Sequence, residues 1–318
     1  MDFLSTFFIV ISAIAKLFIL TLVGYILYRY RFIDEKFTDT LSLLLVRVLF
    51  PALIISKTIG HFSFSEYAYW WLLPVAGAVF SLTGMLLGAV FCGFLKGFSA
   101  RREFISSCGF QNCGYLPMNL VLFLFAGAMG DRMLINVFLF ILGFNVLMWS
   151  MVPLFLSGRP GKEFKISLLL NPPVLATVFA LLWVAIAGKG SLPSLLAGPV
   201  KSLGQAAFPL AMLTLGAYLC KYRAHVPRNK VPLVACMVIK LLLFPMLIMA
   251  VLTRITIPAD YKFLLFLQSI MPVAVSLVVI GSYTKADNKF LSSCIFYTHV
   301  ASVFTIPIWL TIFEMVTG

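Results

Sequence analysis

Gln111-Asn112-Cys113-Gly114-Tyr115-Leu116-Pro117 interrupts an apolar stretch long enough to cross a membrane. An amide pair, a glycine and a proline do not suit the middle of a transmembrane helix. Pro117 lacks a backbone donor and clashes with the preceding turn, and Gly114 weakens the same turn. Irregular backbone at membrane depth survives only where protein buries it or where it lines a cavity. The stretch therefore reads as a helix interrupted at a binding site. A second, weaker interruption is Gln268-Ser269-Ile270-Met271-Pro272 in the other half of the chain.

Composition supports the membrane reading. Hydrophobic residues make up 62% of the chain and charged residues 11%, whereas a soluble domain is about half apolar and a quarter charged. Mean hydropathy is +1.05. The fold class expected is an all-α integral membrane protein. Ten apolar segments qualify as spans, roughly 6–28, 38–59, 69–95, 104–128, 132–156, 167–187, 194–220, 230–253, 260–282 and 289–315. The loops between them are short, which argues against a separate soluble domain. Met1 to Val10 carries Asp2 and no Lys or Arg, so the first run reads as a retained helix and not as a cleaved signal. The six cysteines form no CxxC and no metal spacing with histidine, and they read as packing residues.

The prolines reveal a repeat. Phe50-Pro51 and Phe208-Pro209 lie 158 residues apart, as do Pro74 and Pro232; Pro117 and Pro272 lie 155 apart, Pro153 and Pro307 154. Five spans per copy is an odd number, so the second copy enters from the opposite face. The expected architecture is a 5+5 inverted repeat, with the first repeat at 1–156, a cytoplasmic linker at 157–166 and the second repeat at 167–318. Such repeats are typical of secondary transporters, with the substrate held near the midplane.

The formal charge of +13 resides in short loops, where it sets topology better than it serves nucleic acid. Loops after the odd-numbered spans hold 15 Lys and Arg, and the opposite face holds 5. The odd loops are expected to be cytoplasmic, in a cell (inner) membrane, with both termini outside. The remaining four, Lys16, Arg47, Lys201 and Lys240, fall within spans, and no carboxylate lies deep in any span. A charge at the bilayer centre costs about 2.5–3.5 kcal/mol on insertion scales. Lys240, well inside span 8, is the best candidate for an anion-attracting residue.

Pro117 and Pro272 are each expected to start a half-helix, because proline suits a first turn. Free N–H groups and the positive dipole end would then seat an anion from both sides. The other paired prolines read as kinks. Asn145 in span 5 bonds a neighbouring helix or faces the substrate. His299 in span 10 is a candidate proton relay or a packing histidine. The candidate substrate-binding set is Asn112, Gly114, Tyr115, Pro117, Asn145, Gln268, Met271, Pro272 and Lys240, with His299 for coupling. No nucleophile–base pair, metal set or phosphate loop is evident, so no enzymatic activity, metal or organic cofactor is expected. Gly188-Lys189-Gly190-Ser191 reads as a plain turn. Na+ or H+ coupling stays open.

Several short motifs resemble the auxin efflux carrier family, in its bacterial form. They are Leu22-Val23-Gly24-Tyr25, Phe32-Ile33-Asp34, Leu49-Phe50-Pro51-Ala52-Leu53, Leu170-Asn171-Pro172-Pro173, Gly204 through Leu210, Lys240 through Pro245, and Met271-Pro272. The resemblance covers essentially the whole chain. It implies ten spans in an inverted repeat, crossed and broken spans 4 and 9, and carriage of organic anions by an elevator-like motion. By position it gives Asn112 as the polar residue of the first crossover and Pro117 and Pro272 as the crossover prolines. The long cytoplasmic loop of plant members is missing, which favours a small carboxylate or dicarboxylate over auxin. The alternatives are an aromatic or amphipathic monocarboxylate, or a non-transporting membrane sensor on the same fold. The partners expected are that anion and the lipid bilayer, with homodimerisation open and no nucleic acid.

Overall fold

A computed structural model describes residues 3–158, 171–223, 229–284 and 286–317. Every regular element among them is helical. Most of the expected 157–166 linker lies outside the described residues. The first helix, α1 (Phe3–Arg29), is followed by α2 (Glu35–Leu44), whose N-cap Asp34 accepts the Phe37 N–H at 2.7 Å. A wider π turn, Leu45–Leu49, then joins α2 to α3 (Phe50–His61) without a break. The chain continues through α4 (Leu72–Cys92), α5 (Arg101–Gly109), α6 (Tyr115–Leu124) and α7 (Gly127–Ser157). The second half contains α8 (Pro172–Ala187), α9 (Ser194–Lys221) and α10 (Val231–Val238). A second π turn, Ile239–Leu243, leads into α11 (Phe244–Leu252), then α12 (Ala259–Ser269), α13 (Ser276–Thr284) and α14 (Asn288–Thr317).

Seven of the resulting rods are long and apolar enough to cross a membrane. Expected spans 4 and 9 each appear as two helices, α5–α6 and α12–α13, divided where the sequence placed the interruptions. The helices run unbroken through Pro153, Pro209 and Pro307. Both π turns immediately precede a Phe-Pro pair. Proline donates no N–H and crowds the carbonyl four residues back, and a π turn widens the helix there. In the second case the carbonyl so freed, that of Leu241, accepts the indole N–H of Trp309 at 2.7 Å.

The helices pack as two groups that each draw on both halves of the sequence. In one, α1 lies along α9, and α3 packs against α8 and α9. In the other, α4 packs on α5 and α7, while α14 meets α5, α10 and α13. The groups touch through α1–α14, α3–α7 and α7–α8. Small residues make the tightest crossings. A Cβ on Gly216 of α9 would overlap the Thr21 carbonyl of α1, and one on Gly143 of α7 would overlap the Pro74 carbonyl of α4.

The surface is apolar, and a cluster of polar side chains is buried within a mainly apolar core. Leu86, Leu182, Ile186 and Phe304 are exposed, whereas Gln111, Asn112, Gln268, Ser269, Thr298, His299 and Ser302 are buried. Lys16, Arg47 and Lys201 face outward; only Lys240 among the four intraspan cations is enclosed. Residues 188–193 form the expected turn, with Gly188 and Gly190 at φ of 85° and 75°. It is held by Lys189 on Glu66 and by the Gly190 N–H on the Ile59 carbonyl at 2.8 Å.

Candidate functional site

The two interruptions solve each other's backbone problem. Residues 110–114 and 270–275 are not helical, and Gln111 and Val273 form an isolated antiparallel bridge. The Asn112 N–H donates to the Pro272 carbonyl at 2.7 Å, and the Ala274 N–H to the Phe110 carbonyl at 3.0 Å. Side chains satisfy groups that remain. Thr298 Oγ1 accepts the Val273 N–H at 3.1 Å, and Gln268 Nε2 donates to the Cys113 carbonyl at 3.2 Å. Each unsatisfied group in such a setting would cost several kcal/mol, so both breaks need the other.

The half-helices that follow begin differently from expectation. Pro117 is the third residue of α6, within the first turn, where its missing N–H leaves no gap. Pro272 does not start a helix. It lies in the extended segment, and α13 resumes only at Ser276. A proline pushes its predecessor, here Met271, toward extended backbone, and its carbonyl is engaged with Asn112, so the helix restarts beyond it. Gly114 has φ −111°, and a Cβ there would meet only ordinary contacts, the nearest at 3.5 Å. Its flexibility is not what the break depends on.

A cavity of about 230 Å³ lies against the paired breaks, between the two helix groups. Asn112, Cys113, Gly114 and Tyr115 line it from the first break, and Ala274, Val275 and Ser276 from the second. The N-terminal ends of α6 and α13 therefore reach one space. Asn145 of α7 and Asn171, the N-cap of α8, add amides. Ser42, Phe50 and Tyr218 close it from the other group. The walls are mainly apolar and aromatic, with Phe138, Phe144 and Trp149 of α7 facing Phe50, whose ring meets Tyr115 edge-on at 5.6 Å. No charged side chain lines it among the described residues.

Of the sequence candidates, Asn112, Gly114, Tyr115 and Asn145 line the cavity. Pro117, Gln268, Met271, Pro272, Lys240 and His299 are buried outside its lining. His299 stands directly behind Asn112. Its Nδ1 faces the Ile295 carbonyl at 2.8 Å, so Nδ1 carries the proton. Nε2 is then the acceptor for Asn112 Nδ2 at 3.1 Å, which sets the orientation of that amide. Lys240 is fully buried, with Nζ on the Cys108 carbonyl at 3.3 Å and Gln111 Oε1 at 3.2 Å and over the Phe244 ring at 5.0 Å. It enters no ion pair among the described residues. Gln111, Asn171, Ser276, Ser42 and Tyr218 were not among the candidates. Asn171 before a Pro-Pro pair and Ser276 before an apolar run carry N-cap signals that could have marked them; nothing local marks Tyr218.

Long apolar helices, with two broken segments that meet beside a cavity, define a multi-span membrane protein. The family model described as Membrane transport protein matches residues 9–167 and 159–310. The chain belongs to that family, the auxin efflux carrier family whose motifs it carries. It is also similar to an "Uncharacterized transporter" of Methanothermobacter thermautotrophicus, with 25% identity over 312 residues, 94% of this chain and 96% of the relative.

Proposed function

We propose that the protein is a secondary transporter of a small organic anion, a carboxylate or dicarboxylate, bound at the paired breaks. The observation that carries this reading is the convergence of the α6 and α13 N-terminal ends on one cavity between two helix groups. Helix N-termini present N–H groups and positive potential to an anion. A cavity between two bodies is what alternating access needs, with one group moving against the other as an elevator. In this reading the seven long rods, α8 and the two broken pairs make ten crossings in a 5+5 inverted repeat. The odd loops are then cytoplasmic and both termini external.

The lining refines the substrate class. Phe50, Tyr115, Phe138, Phe144 and Trp149 surround the space, and polar groups gather at the breaks. That favours one carboxylate on an apolar or aromatic body over two charged ends.

Uptake into proteoliposomes of a panel of aliphatic, aromatic and dicarboxylic acids, with and without Na+ and pH gradients, tests the proposal and reads the coupling ion. Saturable carboxylate flux that collapses in Asn112→Ala is the expected result. Preference for cations would overturn it, and binding without flux would favour a sensor.

A further inference from the structure

Among the described residues no charged side chain lines the cavity, yet Lys240 stands one residue behind its wall. Lys240 Nζ donates to Gln111 Oε1 at 3.2 Å, and Gln111 lines the cavity. An ammonium offers only donors, so the Gln111 atom facing it must be the oxygen. That settles the amide's orientation and turns its nitrogen away from Lys240. Gln111 is fully buried, and its Nε2 has no hydrogen-bond partner among the described residues. A buried donor left unpaired in a native structure calls for an explanation, and beside a cavity an acceptor carried by a ligand supplies one.

The cation itself is held there by the break. In an unbroken helix the Cys108 carbonyl would accept from the Asn112 N–H. That N–H is diverted to Pro272, and Lys240 takes the freed carbonyl at 3.3 Å. The site is at the C-terminal end of α5, where the helix dipole favours positive charge. The π turn Ile239–Leu243 carries Lys240 into this position.

We infer that Gln111 is the carboxylate-recognising side chain of the cavity and that Lys240 is its positioning residue. The ammonium fixes and polarises the amide, so that Nε2–H meets the anion while the charge stays shielded from it. The substrate's charge is thus read at one remove, without a direct ion pair that would hold it too tightly to release. This rests on the organic-anion reading above.

Binding to the purified full-length protein tests it, by calorimetric titration with phenylacetate, propionate and succinate and with their amides phenylacetamide, propionamide and succinamide. The wild type is expected to prefer at least one carboxylate over its amide by about ten-fold to a hundred-fold, the scale of a hydrogen bond to a charged group. Gln111→Leu and Lys240→Met should bring that ratio near one. Gln111→Glu is the decisive variant, because it is isosteric and gives Lys240 a direct carboxylate partner that favours folding. It should abolish carboxylate binding while leaving amide binding within about two-fold of wild type. A folded Gln111→Glu protein that still prefers the carboxylate overturns the inference and leaves the transport reading standing. A wild type that binds none of these acids, or binds acid and amide alike, overturns both.

Discussion

The Asn112 N–H and the Pro272 carbonyl meet at 2.7 Å, and this bond joins the two halves of the sequence within the buried polar cluster. It removes Asn112 from the α5 helical ladder, frees the Cys108 carbonyl for Lys240 and holds the Asn112 side chain between His299 and the cavity. Proline is well suited to the accepting position, since it has no N–H of its own to satisfy.

Asn112→Ala keeps this backbone bond and removes the amide. His299 Nε2 is left buried without a donor, which should cost about 1–3 kcal/mol of stability. Uptake of the best carboxylate should fall at least about ten-fold. Thermal unfolding and proteoliposome flux separate the two effects; normal flux with lowered stability would make Asn112 a structural residue only.

Glycine substitutions should divide by location. Gly216→Ala and Gly143→Ala drive a methyl into the Thr21 and Pro74 carbonyls, where backbone cannot yield cheaply. Each should destabilise by about 1–3 kcal/mol or more, as overpacking does. Gly114→Ala meets only ordinary contacts, so its melting temperature should stay close to wild type even though it lies in the break.

Trp309 and Pro245 form a linked pair through the Leu241 carbonyl. Trp309→Phe leaves that carbonyl buried and unpaired, at a cost of about 1–3 kcal/mol. Pro245→Ala supplies the missing N–H four residues on and should recover part of the loss in the double variant. It also favours an ordinary α turn over the π turn, which would rotate Lys240 away from Gln111 and reduce anion affinity. Recovered stability with unchanged affinity would separate the π turn from the aim of Lys240.

Asp131 of α7 pairs with Lys57 of α3, with His61 Nε2 at 3.2 Å from the same carboxylate. The contact spans the two helix groups and is partly exposed, so Asp131→Asn should change stability by no more than about 1 kcal/mol. If the groups move against each other during transport, the contact must break in each cycle. The maximal rate should then change by about two-fold or more with KM held; an unchanged rate would mean that α3 and α7 travel together.

Much of this was legible in the residues because it is local chemistry. Pro117 with Gly114 and Asn112 marks a helix that cannot continue, whatever surrounds it. The apolar runs and the scarcity of charge mark a membrane protein. The expectation failed where it relied on a residue's usual habit. Pro272 suits a helix start, but here the pairing of two breaks keeps it extended and defers α13 to Ser276. Lys240 looked like a substrate contact because it is deep and lacks a carboxylate, while its actual partners are neutral oxygens from elsewhere in the chain.

The amino-acid sequence by itself determined that the chain is helical, apolar on its outside and broken at two places, since propensity, hydropathy and missing donors belong to each residue. Only the tertiary structure decided which group answers each orphaned one. The acceptor for Asn112, the cation behind Gln111 and the indole on Leu241 come from segments distant in sequence. Their meeting depends on helix rotation, on two π turns and on glycine crossings that set spacing to within an ångström or so. Periodicity carries no such information, and so the breaks could be read from the sequence but the chemistry around them could not.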